Sequence, residues 1–88
     1  MPQLDRKELM EAKKKAKRLG VDVEYSTRKN KKLDVFKNGV KVASIGDTRY
    51  EDFLQHKDPK RRKLYKLRHA KDRTKIGSGG YYADKILW

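Results

Sequence analysis

Arg61, Tyr65, Arg68 and His69 stand at i, i+4, i+7 and i+8, the spacing that brings side chains onto one side of an α-helix. Their chemistry is that of polyanion binding. An arginine presents a planar fork that grips a phosphate with two hydrogen bonds, and lysine adds a mobile point charge. A tyrosine among them can stack on a base or ribose, or hydrogen-bond a phosphate. The surrounding stretch, Lys57 to Lys75, holds ten Lys or Arg and only two Asp. Arg61, Arg62, Lys63, Lys66, Arg68 and Lys71 are therefore the expected phosphate contacts, with Tyr65 and His69 supporting them. The loop cations Arg28, Lys29, Lys31 and Lys32 are expected to extend the footprint.

The composition narrows the partner. The 88 residues carry 25 Lys+Arg against 12 Asp+Glu, a net charge of +13. Such an excess repels itself in a small domain, and an anionic partner relieves that repulsion. Nucleic acid comes first, held by its phosphate backbone; no base-reading motif is present, so no sequence preference is expected. An anionic membrane surface comes second, because it would favour an amphipathic helix with bulky apolar anchors. No apolar run approaches the roughly 18 residues of a membrane span. The N-terminal MPQLDRKELM lacks the apolar region of a secretory signal, which predicts a protein that is not secreted. Cysteine is absent, removing disulfides and thiolate metal sites.

A catalytic reading is weaker. His56 and His69 with Asp47, Glu51, Asp52 and Asp58 are the residues from which a metal or nuclease site could be built. Their spacing matches no ligand pattern, so the acids read as helix caps and as partners for nearby cations. His56 reads as a helix C-terminal residue whose charge suits the dipole. No catalytic residue, metal or cofactor is expected, and a small metal-dependent nuclease ranks third among the functions. Gly77-Ser78-Gly79-Gly80 lacks the Gly-Lys-Ser/Thr ending of a phosphate loop. It reads instead as a hinge that folds Tyr81, Tyr82, Ile86, Leu87 and Trp88 back onto the core.

The elements that must position these residues fall within one basic α+β domain over residues 1–88. Asp5 and Glu8 form a capping box, Leu4 and Leu9 a staple, and Leu9, Ala12, Ala16 and Leu19 a narrow apolar stripe, predicting a helix over 6–19 ended by Gly20. Val21, Val23 and Tyr25 alternate with acids as in a strand, and an exposed basic loop is expected from Ser26 to Lys32. Asn38-Gly39 between β-rich runs predicts a two-residue hairpin pairing Val35 with Val42 and Lys37 with Val40. The result is a three-stranded antiparallel meander. Thr48 to Glu51 has capping-box spacing, predicting a short helix bearing Tyr50, Phe53 and Leu54. Asp58-Pro59 starts a helix expected to reach about Lys71 and to turn Leu64 and Leu67 toward the core.

One order of residues also resembles a known group. Ile45-Gly46, Tyr50-x-Asp52-Phe53, His56-Lys57-Asp58, Arg61-Arg62, Tyr65-x-x-Arg68-His69-x-Lys71, Gly80-Tyr81-Tyr82 and Leu87-Trp88 are similar to small uncharacterised basic proteins of nucleocytoplasmic large DNA viruses. The resemblance covers about residues 42–88 and leaves out helix 1 and the basic loop. It implies a viral protein, carried in the virion or present in the nucleus or cytoplasm of the infected cell. It supplies no reaction, and it implies that Arg61, Arg62, Tyr65, Arg68, His69 and Trp88 form one unit. In that setting two functions compete. One is nonspecific DNA binding that neutralises or organises a packaged genome. The other is a structural protein that docks on acidic capsid or other virion proteins.

Overall fold

The computed structural model describes residues 3–88. Helix α1 spans Arg6–Arg18 and opens on the expected capping box: Asp5 Oδ1 accepts from the Glu8 N–H at 2.7 Å, and Glu8 Oε1 from the Asp5 N–H at 2.8 Å. It ends one residue early, with Leu19 as cap and Gly20 beyond it at φ +74°. Its buried stripe consists of Ala12 and Ala16, both fully covered, whose small side chains let the helix lie close on the sheet. Lys13 ties helix to sheet by donating to the Val23 carbonyl at 2.8 Å and to Glu24 at 2.7 Å.

The sheet is the expected meander, β1 (Asp22–Tyr25), β2 (Leu33–Lys37) and β3 (Val40–Ile45), antiparallel in the order β1-β2-β3. Asn38 and Gly39, at φ +52° and +79°, make the two-residue turn, and Lys37 pairs with Val40. Val35, however, pairs with Ala43 rather than Val42, because a bulge interrupts the register between Val35 and Phe36. The reason lies in the period of two. Without the bulge, Leu33 would face Ser44 and Ile45 would point away from the core. The one-residue shift places Ala43 and Ile45 beside Val35 and Leu33, and leaves Val42 largely in solvent.

The central strand β2 is buried on both faces. Leu33 and Val35 face the core, and Asp34 lies buried on the other side. Its carboxylate accepts from the Ser26 and Ser44 hydroxyls at 2.6 and 2.7 Å, with Lys41 at 4.0 Å.

The C-terminal half is helical but differs from expectation at three points. Helix α2 is a single turn, Phe53–His56, with Asp52 rather than Thr48 at its N-cap. Thr48 instead donates its backbone N–H to the Asn30 carbonyl at 3.1 Å, and Tyr50 sits in a turn, 66% exposed. Helix α3 runs Pro59–Arg68 and stops short of Lys71, followed by a 3-10 turn at Asp72–Thr74. Its leucines do not reach the core: Leu64 and Leu67 are 58% and 66% exposed.

The glycine linker does fold the chain back. Ser78 caps helix α4, Gly79–Ile86, and Tyr82, Ile86 and Leu87 join Leu4, Val21, Val23, Leu33, Val35, Ile45 and Leu54 in the core. Each large apolar side chain so covered is worth roughly 1.5–3 kcal/mol.

Candidate nucleic-acid interface

Helix α3 buries no residue, and is instead held by the flank Arg62, Tyr65, Lys66 and His69. The Arg62 guanidinium lies 5.0 Å from the Phe53 ring centroid, and its Nε donates to the Trp88 backbone oxygen at 2.6 Å. Lys66 meets the wholly buried Asp84 carboxylate at 2.7 Å. Tyr65 stacks on Trp88 with centroids 4.1 Å apart and planes 2° from parallel, and His69 stacks on Tyr65 at 4.4 Å. The row continues through His56, 5.2 Å from Trp88, to Phe53 at 5.9 Å. Aromatic and ionic contacts thus replace leucine packing beneath α3.

This arrangement opens a cleft of about 820 Å³ between α3, the end of the β1–β2 loop, the segment from Gly46 to Asp52, and the end of α4. Lys31, Arg61, Arg68 and His69 come to it from two separate elements. Tyr65, Ala83, Leu87 and Trp88 supply an aromatic and apolar wall, with Tyr50 also lining it. Arg61 lies 3.8 Å from Glu51, both half exposed, so this loose pair leaves the guanidinium open to other anions. Arg49 holds the Asp47 carboxyl down at about 2, through side-chain hydrogen bonds at the cleft edge.

Lys32, expected in the exposed loop, is 1% exposed. Its Nζ donates to Asp52 Oδ2 at 2.9 Å and to Gln55 Oε1 at 2.6 Å. The correction has a geometric cause: Lys32 directly precedes the central strand, and its backbone N–H already joins the ladder at the Ile45 carbonyl, 3.1 Å away. A lysine anchored there is covered by α2 and cannot reach a phosphate. Beside it, Gly46 has φ +79°. A Cβ on Gly46 would come within 2.9 Å of Leu87 and 3.0 Å of Lys32. The tight packing of cleft floor and core therefore depends on a glycine at this position.

The remaining expected contacts divide into two groups. Arg62 and Lys66 are engaged in holding α3 to the fold, and Tyr65 has both ring faces covered, by Trp88 and His69, so it cannot sandwich a base. Burial, with Asp84 nearby, pushes the Tyr65 hydroxyl up to about 12. Lys63, Lys71, Arg28 and Lys29 are exposed but do not line the cleft. His69 is partly exposed, with Nδ1 3.6 Å from Asp72.

Helix α1 carries one cation within electrostatic reach of α3. The Lys15 ammonium is held below its ordinary range by burial and by the like charges of Lys57, Arg62 and Lys66, and Lys57 bridges to Glu11 at 3.0 Å.

His56 corrects its expected role. It does end α2, but burial works against the charge expected of it there. Nδ1 accepts from the Asp58 N–H at 2.9 Å, and burial, then Arg61, lowers its pKa. Among the described residues, no three His, Asp or Glu come together as metal ligands. The acids pair instead with Lys32, Arg49, Arg61 and Lys66.

Residue spacing names Lys32 as a loop cation but does not bring it together with Asp52, Gly46 and Tyr50 in one cleft. The only signal for the first two was a lysine directly before an apolar strand and an acid directly before an apolar helical turn.

Fold and cleft together define a small α+β domain with a cation-rimmed, aromatic-walled groove. Residues 21–69, more than half of the chain, match a family of unknown function (DUF5754), and the chain belongs to that family. The matched stretch runs from the start of the sheet through His69 and so contains Lys31, Lys32, Asp52, Arg61 and Arg68. No curated protein and no solved structure matches the chain.

Proposed function

We propose that this domain binds nucleic acid without sequence preference, holding the phosphate backbone along α3 and the β1–β2 loop. The observation that carries the reading is the convergence of Lys31, Arg61, Arg68 and His69, from two distant parts of the chain, on one cleft. Arg28 and Lys29 lie exposed on the same β1–β2 loop as Lys31 and lengthen the track, whereas Lys63 stands about 200° round α3 from Arg61 and points away from it. The resemblance over about residues 42–88 points to the genome of a large DNA virus as the polyanion, and to the virion or infected cell as the setting.

Binding measured over a salt series tests this. Three fixed cations, Lys31, Arg61 and Arg68, give a slope of log K against log salt of about −2.7, at about −0.9 per neutralised phosphate, and steeper if Arg28 and Lys29 join. Absence of binding to any DNA or RNA at about 50 mM salt would end the proposal.

A second reading, docking on an acidic virion protein, is favoured by one feature. Leu64 and Leu67 stand exposed among the cations of α3, and Ile76 is 84% exposed nearby in sequence. That reading predicts a defined protein partner and little affinity for DNA.

A further inference from the structure

We infer that the cleft takes one unstacked nucleobase, so that the preferred ligand is single-stranded rather than duplex nucleic acid. This rests on the nucleic-acid reading above and adds to it which part of the polymer enters. The rim and the interior of the cleft differ in chemistry. Exposed Arg61 and Arg68 line the cleft with Lys31, beside the carboxylates of Asp47 and Glu51, while its most buried lining is Leu87, Asp52 and Lys32, with Trp88 partly buried. The one cation deep in it, Lys32, is already matched by Asp52 and Gln55. A phosphate moving inward would meet a carboxylate and an apolar wall; a base would meet surfaces that suit it.

Asp52 adds a specific feature. Its side chain is 4% exposed, and while Oδ2 holds Lys32, the buried Oδ1 has no hydrogen-bond partner among the described residues. That oxygen has almost no accessible surface and belongs to the side chain that forms a capping box with Gln55 at the start of α2, so a donor reaches it only with a shift of that turn. Each of the four bases carries an N–H on its Watson–Crick edge, which is accessible only when the base is unpaired. One acceptor therefore fits any of them, in keeping with binding that ignores sequence.

Stacking can come from Tyr50, whose ring stands 66% exposed and lines the cleft, rather than from the covered Tyr65. The volume, about 820 Å³, falls within the roughly 300–1,000 Å³ of small-ligand sites. A duplex, with its bases stacked inside, could touch only the rim.

The test uses the full chain with three probes of equal length: a single strand, a strand with the same phosphates but abasic sugars, and a duplex. Trp88 is the only tryptophan and lines the cleft, so its fluorescence reports entry of a base. The expected result is binding of the base-bearing strand about tenfold or more tighter than of the abasic strand, with quenching of Trp88 by the former alone. Tyr50→Ala, at an exposed position that should leave folding intact, is expected to narrow that gap. Equal affinity for base-bearing and abasic strands would overturn the inference while leaving phosphate binding standing. A gap that Tyr50→Ala leaves unchanged would also overturn it. Failure to bind all three probes would instead remove the nucleic-acid reading, and this inference with it.

Discussion

Replacing Lys32 with methionine is the sharpest perturbation of the fold beneath the cleft. The substitution keeps the length and apolar stem of the side chain and removes only its charge. In the native protein Lys32 and Asp52 are 2.9 Å apart with side chains 1% and 4% exposed, and Gln55 Oε1 accepts a second bond at 2.6 Å. Without the ammonium, a carboxylate with almost no access to water loses its counter-charge. Breaking a buried pair in this way costs about 3–5 kcal/mol, mostly from the uncompensated charge. A domain of this size has a total stability of about 4–13 kcal/mol, so the variant should sit near the edge of folding. At about 4–8 °C per kcal/mol the melting temperature should drop by about 12 °C or more. The double variant Lys32→Met with Asp52→Leu removes both charges and is expected to recover most of that loss. Urea and thermal unfolding followed by circular dichroism would measure all three proteins. A single variant within about 1 kcal/mol of the native protein, or a double variant no better than the single, would refute the reasoning.

Two further substitutions probe neighbouring features. Gly46→Ala combines a left-handed φ of +79° with a Cβ placed 2.9 Å from Leu87 and 3.0 Å from Lys32. The backbone strain alone is about 1–2 kcal/mol and overpacking adds about 1–3, so a loss of at least about 2 kcal/mol in urea unfolding is expected. The Asp34 carboxyl is pushed up by burial, but the Ser26 and Ser44 hydroxyls, the Thr27 N–H and Lys41 together hold it below its ordinary 3.8. A depressed folded-state pKa contributes stability that is present above 3.8 and is lost as pH falls through the folded value. The native protein should therefore lose stability below about pH 4, and Asp34→Asn, less stable at pH 6, should show a shallower acid decline by urea midpoints.

What the sequence disclosed, and what it hid, follows from the range of the interactions. The α1 capping box and the Asn38-Gly39 turn depend on residues a few positions apart, and both are legible; the fold-back of the C-terminal aromatics is legible too, but not that Ser78 caps α4 and that Gly79 and Gly80 lie inside it. The bulge at Val42 is not legible, since it answers to which of Ser44 and Ile45 must face the core, and that is settled only when the sheet meets α1 and α4. The inner flank of α3 escapes the sequence for a similar reason. Leucine at helical spacing ordinarily marks the buried side, yet here the surface beneath offers Phe53, Asp84 and Trp88, which match Arg62, Lys66 and Tyr65 better. The candidate site was half legible. Its exposed cations, Arg61 and Arg68, follow from helical spacing alone, whereas Lys32 looked like its neighbours Lys29 and Lys31 until the central strand drew it inward.

The most direct test of the central claim, that the cleft flank and not bulk charge is the interface, compares two double variants of equal charge. Arg61→Ala with Arg68→Ala removes the exposed guanidinia that line the cleft; Lys14→Ala with Arg18→Ala removes two exposed cations of α1 that do not. Single-strand affinity at fixed low salt would be measured for both by fluorescence anisotropy. The account predicts a loss of about tenfold or more for the cleft pair, as expected for two charge-assisted phosphate contacts, with a salt slope reduced by about 1.8, and a much smaller loss for the α1 pair. Equal losses from the two pairs would contradict it.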